Sequence, residues 1–312
     1  MFIRLPTSAD IVSAASLIAP HIRRTPVMTI QAGDLGFSGA PLTLKLEFLQ
    51  HSGTFKARGA FTNILSREGA EHGVVAASGG NHGAAAAYAA QQLGYRARIY
   101  VPSISSPAKI ARIKSYGAEI VVGGDSYVDA LQASREWAEA NGGLQLHAYD
   151  AVETVMGQGT MALELSEQAP DLDTVLIAVG GGGLIGGAAA YYSGKVKLIG
   201  VEPANAPTLH DALATGAPVD VPVSGVAADS LGARKIGDIC FALRQHIDRS
   251  VLVSDAAIVE AQKRIWDVLH VVAEPGGAAA LAALLSGAYL PAPGEKVGVV
   301  LCGANTTAVK FD

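Results

Sequence analysis

Apolar runs of strand length alternate with helical patterns over almost the whole chain. The runs "LTLKLEF" (42–48), "GVVAAS" (73–78), "RARIYVP" (96–102), "AEIVVGG" (118–124), "LQLHAY" (144–149), "TVLIAVG" (174–180), "KLIGVEP" (197–203), "SVLVS" (250–254) and "KVGVVLCG" (296–303) read as strands. Several are near-continuous Val, Ile and Leu, the pattern of parallel strands covered on both faces. Between them "NHGAAAAYAAQQLG" (81–94), "SYVDALQASREWAEANGG" (126–143), "QGTMALELSEQ" (158–168) and "SDAAIVEAQKRIWDVLHVV" (254–272) carry helical spacing; two of them have Ser or Asp starts and two end at Gly. This alternation predicts an α/β fold of mainly parallel sheets flanked by helices. About nine strands exceed an average sheet. Two domains are therefore expected: a larger one from residues 1–50 and 149–312, and a smaller one from 51–148.

Composition narrows the class. The 312 residues are 50% hydrophobic but only 6% aromatic, so the core is built of Ala, Val, Leu and Ile with close backbone contacts. A net charge of −5 without a basic block argues against a nucleic-acid partner. Cys240 and Cys302 form no CxxC or pairing pattern, as expected in a reducing compartment. No run reaches about 18 uninterrupted apolar residues, the length of a membrane span. A cytoplasmic protein without a membrane partner is expected.

In open α/β sheets ligands sit beyond the carboxyl ends of strands, and there the chain concentrates its glycines and polar residues. After "TVLIAV" come Gly180, Gly181, Gly182 and Gly183, then Leu184 and a helix. One glycine would serve a tight turn. Four bare peptide units at a helix N-terminus expose N–H groups to an anion, phosphate above all. Gly181, Gly183 and Gly186, with Glu202 about 20 residues on, also satisfy the dinucleotide fingerprint, so an NAD-dependent oxidoreductase is the competing reading. After "GVVAA" the turn Ser78, Gly79, Gly80, Asn81 and His82 offers hydroxyl, amide and N–H donors to a small anion such as a carboxylate; the plainer reading is a capped turn with a structural histidine. Without HExxH or CxxC no metal site is expected. Cys302 closes the last strand before Gly303 and Asn305, as a small buried hydrophobe or a site residue. Glu274 precedes Pro275 and a helix, whose N-terminus a carboxylate also suits.

The stretch "EFLQHSGTFKARGAF" (47–61) ends a strand, turns through Ser52, Gly53 and Thr54, and delivers Phe55 and Lys56 to a helix start. An ammonium there meets the positive end of the macrodipole. The same field lowers a lysine pKa and favours the neutral amine that a Schiff base needs. A phosphate cradle, an activated lysine and a carboxylate-sized turn are together what pyridoxal phosphate chemistry on an amino acid requires. A nicotinamide enzyme has no particular use for Lys56.

"SGTFKARGA", "SGGNHG", "GGGGLIGG" and "LCGAN" resemble, in order and spacing, the fold-type-II pyridoxal-phosphate enzymes of the serine/threonine dehydratase and serine racemase group. The resemblance runs from "RRTPV" (23–27) to the last strand and implies a two-domain fold like the tryptophan synthase β-subunit. It implies that Lys56 carries pyridoxal 5′-phosphate as a Schiff base, with Phe55 beside the ring and Asn81 on its 3′-oxygen. The backbone of Gly180, Gly181, Gly182 and Gly183, with Leu184, is implied to bind the phosphate, Cys302 to face the pyridine nitrogen, and Glu274 to lie near the ring. Ser78, Gly79, Gly80 and His82, with Ser52, Gly53 and Thr54, are implied to line the substrate carboxylate. A homodimer is a further expectation of the family.

The implied activity is β-elimination from a β-hydroxy amino acid such as L-threonine or L-serine, giving a 2-oxo acid and ammonia, with the freed Lys56 amine as base. A neutral thiol at Cys302 suits elimination, which needs less delocalisation than transamination. Serine racemases of the group carry a serine where Gly79 stands, which disfavours racemisation here. Their divalent-cation site pairs a Glu with an Asp six residues on, where this chain has Glu202 and Thr208. An amino-acid racemase and a hydroxyaspartate dehydratase are the alternatives within the family; no arginine is obviously placed for a second carboxylate.

Overall fold

The computed structural model describes residues 4–103 and 105–309. Strands β1 (Val27–Ile30), β2 (Leu42–Lys45), β3 (Val74–Ala77), β4 (Ala97–Val101), β5 (Glu119–Val122), β6 (Leu144–Leu146), β7 (Thr174–Ala178), β8 (Lys197–Pro203), β9 (Arg249–Val253) and β10 (Val297–Val300) form two sheets. One has the order β1-β2-β10-β7-β8-β9, the other β5-β4-β3-β6. Every pairing is parallel except that of β1 with β2. β1 escapes the hydrophobic pattern because it is a four-residue edge strand whose Met28 and Thr29 face solvent. The runs expected at 144–149 and 296–303 end as strands at Leu146 and Val300, and their last residues turn off into loops.

Helices α1 (Ser8–Ile18), α2 (Lys56–Ser66), α3 (Asn81–Gln92), α4 (Pro107–Ser115), α5 (Tyr127–Asn141), α6 (Val152–Gln168), α7 (Gly183–Tyr192), α8 (Thr208–Thr215), α9 (Ala228–Leu231), α10 (Asp238–Ala242), α11 (Asp255–Leu269) and α12 (Pro275–Leu285) complete the layers. Local chemistry sets their ends. α5 opens on a reciprocal Ser126/Asp129 capping box and stops at the left-handed Gly142. The Ser254 hydroxyl accepts the Ala257 N–H at the start of α11.

α6 begins at Val152, six residues before the expected 158, because its interior glycines mark helix crossings and not a helix start. A Cβ on Gly157 would lie 2.6 Å from the Arg58 carbonyl oxygen of α2, and one on Gly187 of α7 would lie 2.5 Å from the Gly159 nitrogen. These contacts let α2, α6 and α7 meet backbone to backbone. The main apolar cluster surrounds the larger sheet, and a second one fills the smaller sheet, where the alanines of α3 are buried against β3 and β4. Among the described residues no helix is long and apolar enough to cross a membrane.

Candidate active site

Four loops meet at the carboxyl ends of the strands, and main-chain bonds fix the one that carries Lys56. The Phe48 N–H donates to the Leu301 carbonyl (3.0 Å), Ala304 N–H to Gly53 (3.0 Å) and Phe55 N–H to Cys302 (3.3 Å), while Thr54 bridges Gly303. The 46–55 loop therefore lies along the exit of β10, which puts Phe55 and Lys56 beside Cys302. Arg58, in the first turn of α2, anchors that helix from below. Completely buried, it donates Nε and Nη2 to Glu47 (2.9 and 2.8 Å) and Nη1 and Nη2 to Glu164 on α6 (2.7 and 2.8 Å). Lys45 Nζ also reaches Glu164 (2.8 Å).

A single cavity is lined by Phe55, Lys56, Asn81, Gly180, Gly181, Gly182, Gly183, Leu184, Glu274 and Cys302, together with Tyr149, Ala178, Ser230, Leu231 and Gly276. All ten cofactor residues expected from the sequence thus come together. The Lys56 amine donates to the Ala148 carbonyl (2.7 Å). Its pKa is lowered to about 8, chiefly by burial, against the opposing pull of the Glu274 carboxylate. Burial is thus a cause of the lowered pKa that the argument from the helix end did not contain. Burial also pushes the Cys302 thiol up, and its Sγ donates to the Gly276 carbonyl (3.4 Å), so it is a neutral thiol. Glu274 is raised to about 7 by burial, opposed by a hydrogen bond from Asn81 Nδ2 (2.7 Å) and by Lys109 and Arg112. Glu274 precedes α12 without a side-chain cap on it, so its carboxylate serves Asn81 and not the helix.

The substrate-side residues are placed unevenly. Ser52 has left-handed backbone (φ +59°), and its buried Oγ has no partner among the described residues. A strained residue carrying an unsatisfied hydroxyl marks a ligand position. The Ser78 hydroxyl accepts the Gly80 N–H (3.1 Å) at the head of α3. Gly79 has no side chain, and a Cβ there would collide with Ser105 Oγ. The His82 ring is bonded through Nε2 to the Leu146 carbonyl (3.2 Å), and burial lowers its pKa to about 3. It is a neutral ring turned to structure, which leaves its backbone N–H for the site.

Tyr149 was not anticipated from the sequence. Its ring packs on the glycine loop, where a Cβ on Gly183 would lie 3.0 Å from the Tyr149 backbone and one on Gly181 would enter the ring. The signal was available: Tyr149 follows a strand's carboxyl end, in "LQLHAY". The dinucleotide fingerprint fails for a directional reason. Glu202 accepts the N–H groups of Leu209 (2.7 Å) and His210 (2.8 Å), the Thr208 hydroxyl (3.1 Å) and the Ser250 hydroxyl, so it caps α8 and faces no ribose. Among the described residues no cluster of three or more His, Cys, Asp or Glu is arranged to hold a metal.

The cavity fits pyridoxal phosphate. The α7 N-terminus lies open behind a loop that tolerates no side chain: a Cβ on left-handed Gly182 would lie 2.6 Å from Cys240 Sγ. The lysine amine and the orphaned Ser52 hydroxyl lie in adjoining segments. Fold and cavity together define an α/β pyridoxal-phosphate enzyme. The chain belongs to the pyridoxal-phosphate dependent enzyme family, whose match spans residues 18–303. It is 36% identical to a phenylserine dehydratase of Ralstonia pickettii over 98% of this chain and 95% of that one. It is also 36% identical to an L-threonine ammonia-lyase of Thermotoga maritima, over 88% of this chain and 70% of that one. Among solved structures, maize serine racemase superposes with a TM-score of 0.91 at 33% identity, covering 98% of this chain and 95% of the other.

Proposed function

We propose that the protein eliminates water from a β-hydroxy amino acid, releasing a 2-oxo acid and ammonia. Pyridoxal phosphate, when bound, supplies the carbonyl that takes the substrate amine and the ring that accepts electron density from the α-carbon. The chain's residues do the rest. Lys56 holds the cofactor and, once displaced, is a base that takes the α-proton; a pKa of about 8 leaves part of it neutral near neutral pH. Ser52, Ser78 and the N–H groups at the head of α3 hold the substrate carboxylate. The glycine loop holds the phosphate through N–H groups at the start of α7.

The observation that carries this reading is the Cys302 thiol, whose hydrogen is committed to the Gly276 carbonyl. Facing the ring nitrogen, as the family resemblance implies, it would offer that nitrogen no charged partner, which would favour prompt loss of the β-hydroxyl over long-lived delocalisation. The R. pickettii relative supports a substrate as large as an aryl-serine. A cavity of about 530 Å³ adjoins the cofactor site and shares Asn81, Ser230 and Glu274 with it, providing room for such a side chain. A panel of serine, threonine, phenylserine and hydroxyaspartate stereoisomers, assayed for ammonia and 2-oxo acid, tests the proposal. Lys56→Ala should abolish release, whereas a cofactor-loaded protein that turns over none of the panel would refute the reading.

One observation favours racemisation as a second reading: Ser105 Oγ occupies the room that a side chain at position 79 would take. Deuterium from solvent in recovered substrate of inverted configuration would support it. We further place the protein in the cytoplasm, which its two free buried cysteines support, and as a homodimer, which sedimentation would test.

A further inference from the structure

A chain of hydrogen bonds crosses the cleft beside the cofactor cavity, and it has a direction. Arg112 on α4 donates from Nη1 to Asn305 Oδ1. Asn305 Nδ2 donates to Asn81 Oδ1 (2.9 Å) and to the Ser52 carbonyl (2.8 Å). Asn81 Nδ2 donates to Glu274 Oε1 (2.7 Å). Arg112 and Asn81 lie on helices of the four-stranded sheet, Asn305 and Glu274 on loops of the six-stranded one, so the chain stitches the two sides together.

A side-chain amide is nearly symmetric in shape and opposite in polarity at its two ends, so a neighbour must decide which end faces the cleft. A guanidinium only donates, and an ionised carboxylate only accepts. With Arg112 at one end, Asn305 must turn its oxygen toward α4 and its nitrogen toward Asn81. Asn81 must then turn its oxygen to Asn305 and its nitrogen to Glu274. Two glycines make room for this arrangement: a Cβ on Gly53 would collide with Asn305 Oδ1, and one on Gly303 with Glu274 Oε1. The same Asn305 nitrogen holds the carbonyl of the strained Ser52.

We propose that Arg112 and Asn305 are positioning residues that fix the Asn81 amide, so that its NH2 group gives one hydrogen to Glu274 and presents the other to the cofactor's 3′-oxygen. The proposal rests on the cofactor and is independent of the substrate, so it is read from the absorption of the holoenzyme alone. The ratio of the visible to the near-ultraviolet cofactor band reports the hydrogen bonding of the 3′-oxygen. Asn305→Asp keeps the shape and the Arg112 contact but has no N–H to give. Asn81 then stands between two acceptors, the carboxylate at position 305 and Glu274, and its NH2 group is no longer fixed toward Glu274 and the cleft. The band ratio should change about fivefold, the worth of one such hydrogen bond. Arg112→Met should move the ratio the same way by less, and Arg112→Lys should return it to the wild-type value. An N305D holoenzyme with the wild-type ratio overturns the proposal. If N305D does not retain the cofactor, a wild-type ratio in R112M overturns it equally.

Discussion

Replacing Arg58 with Met should unbalance a buried cluster whose formal charges cancel. Lys45 and Arg58 face Glu47 and Glu164, and Lys45, Arg58 and Glu47 are fully enclosed. The substitution keeps much of the volume but deletes four hydrogen bonds to the two carboxylates. One lysine is then left opposite two anions. Removing one partner of a buried pair costs about 3–5 kcal/mol, because the remaining charge has lost its compensation. In a chain of this size, at about 2 cal/mol/K of unfolding entropy per residue, that is a Tm lower by roughly 5–8 °C. Urea unfolding followed by circular dichroism checks it. R58M/E164Q restores equal numbers of positive and negative groups, so its cost should fall well short of the sum of the single substitutions. A single variant within about 1 kcal/mol of wild type, or strictly additive costs, would refute the charge argument. The pH dependence has a definite sign. Burial raises the Glu164 pKa, but Arg58 and Lys45 outweigh it and hold the carboxyl below its usual range. Its contribution is therefore present at neutral pH and lost as pH falls through the folded-state pKa.

Other outcomes follow from the cavity. Reloading of the apoprotein with pyridoxal phosphate should accelerate as pH rises toward about 8 and then level off, because the Lys56 amine must be neutral to attack; a flat profile over that range contradicts it. Glu274→Gln should stabilise the apoprotein at alkaline pH. The folded carboxyl is raised from 4.5 to about 7, so the unfolded chain ionises first and the folded state is penalised as pH climbs. The variant's advantage should be absent below the lower value and reach about 3 kcal/mol above the upper one, as read by urea unfolding across pH. Gly181→Ala should drive a methyl group into the Tyr149 ring and displace the glycine loop. Overpacking of about 1–3 kcal/mol translates into roughly 5- to 150-fold weaker cofactor binding, which equilibrium dialysis measures; unchanged affinity would show that the loop does not hold the phosphate.

The parts of this site that were legible in the sequence share a cause. A parallel sheet brings all its carboxyl ends to one edge, so residues such as Asn81, Gly180 and Cys302 meet there because each follows its own apolar run. Pattern alone finds them. Lys56 was legible as an anomaly, but the reason for its low pKa was not, since burial depends on what surrounds it and position on a helix does not reveal that. Glu202 shows the opposite failure. Spacing after a glycine run matched a dinucleotide site, yet spacing carries no side-chain direction, and the carboxylate turned to the N–H groups of α8.

What stayed hidden is polar and long-range. Arg58 meets Glu164 across 106 residues, and Asn305 meets Asn81 across 224. Neither pairing has a local period, because hydrophobic spacing records which face is buried and not which buried donor will find which acceptor. Both pairings have local traces all the same. A lone Arg two residues after Lys56, and an Asn two residues after a strand-end glycine, are groups that a buried strand–helix junction must satisfy once the sheets close over them. Gly53, which looked like a turn residue, and Gly303, at the end of the last strand, are the vacancies that Asn305 and Glu274 fill. Some of this chain's glycines are therefore read best by asking which side chain needs the space, and that question leads from "SGTFK" and "LCGAN" to the same hydrogen-bonded chain.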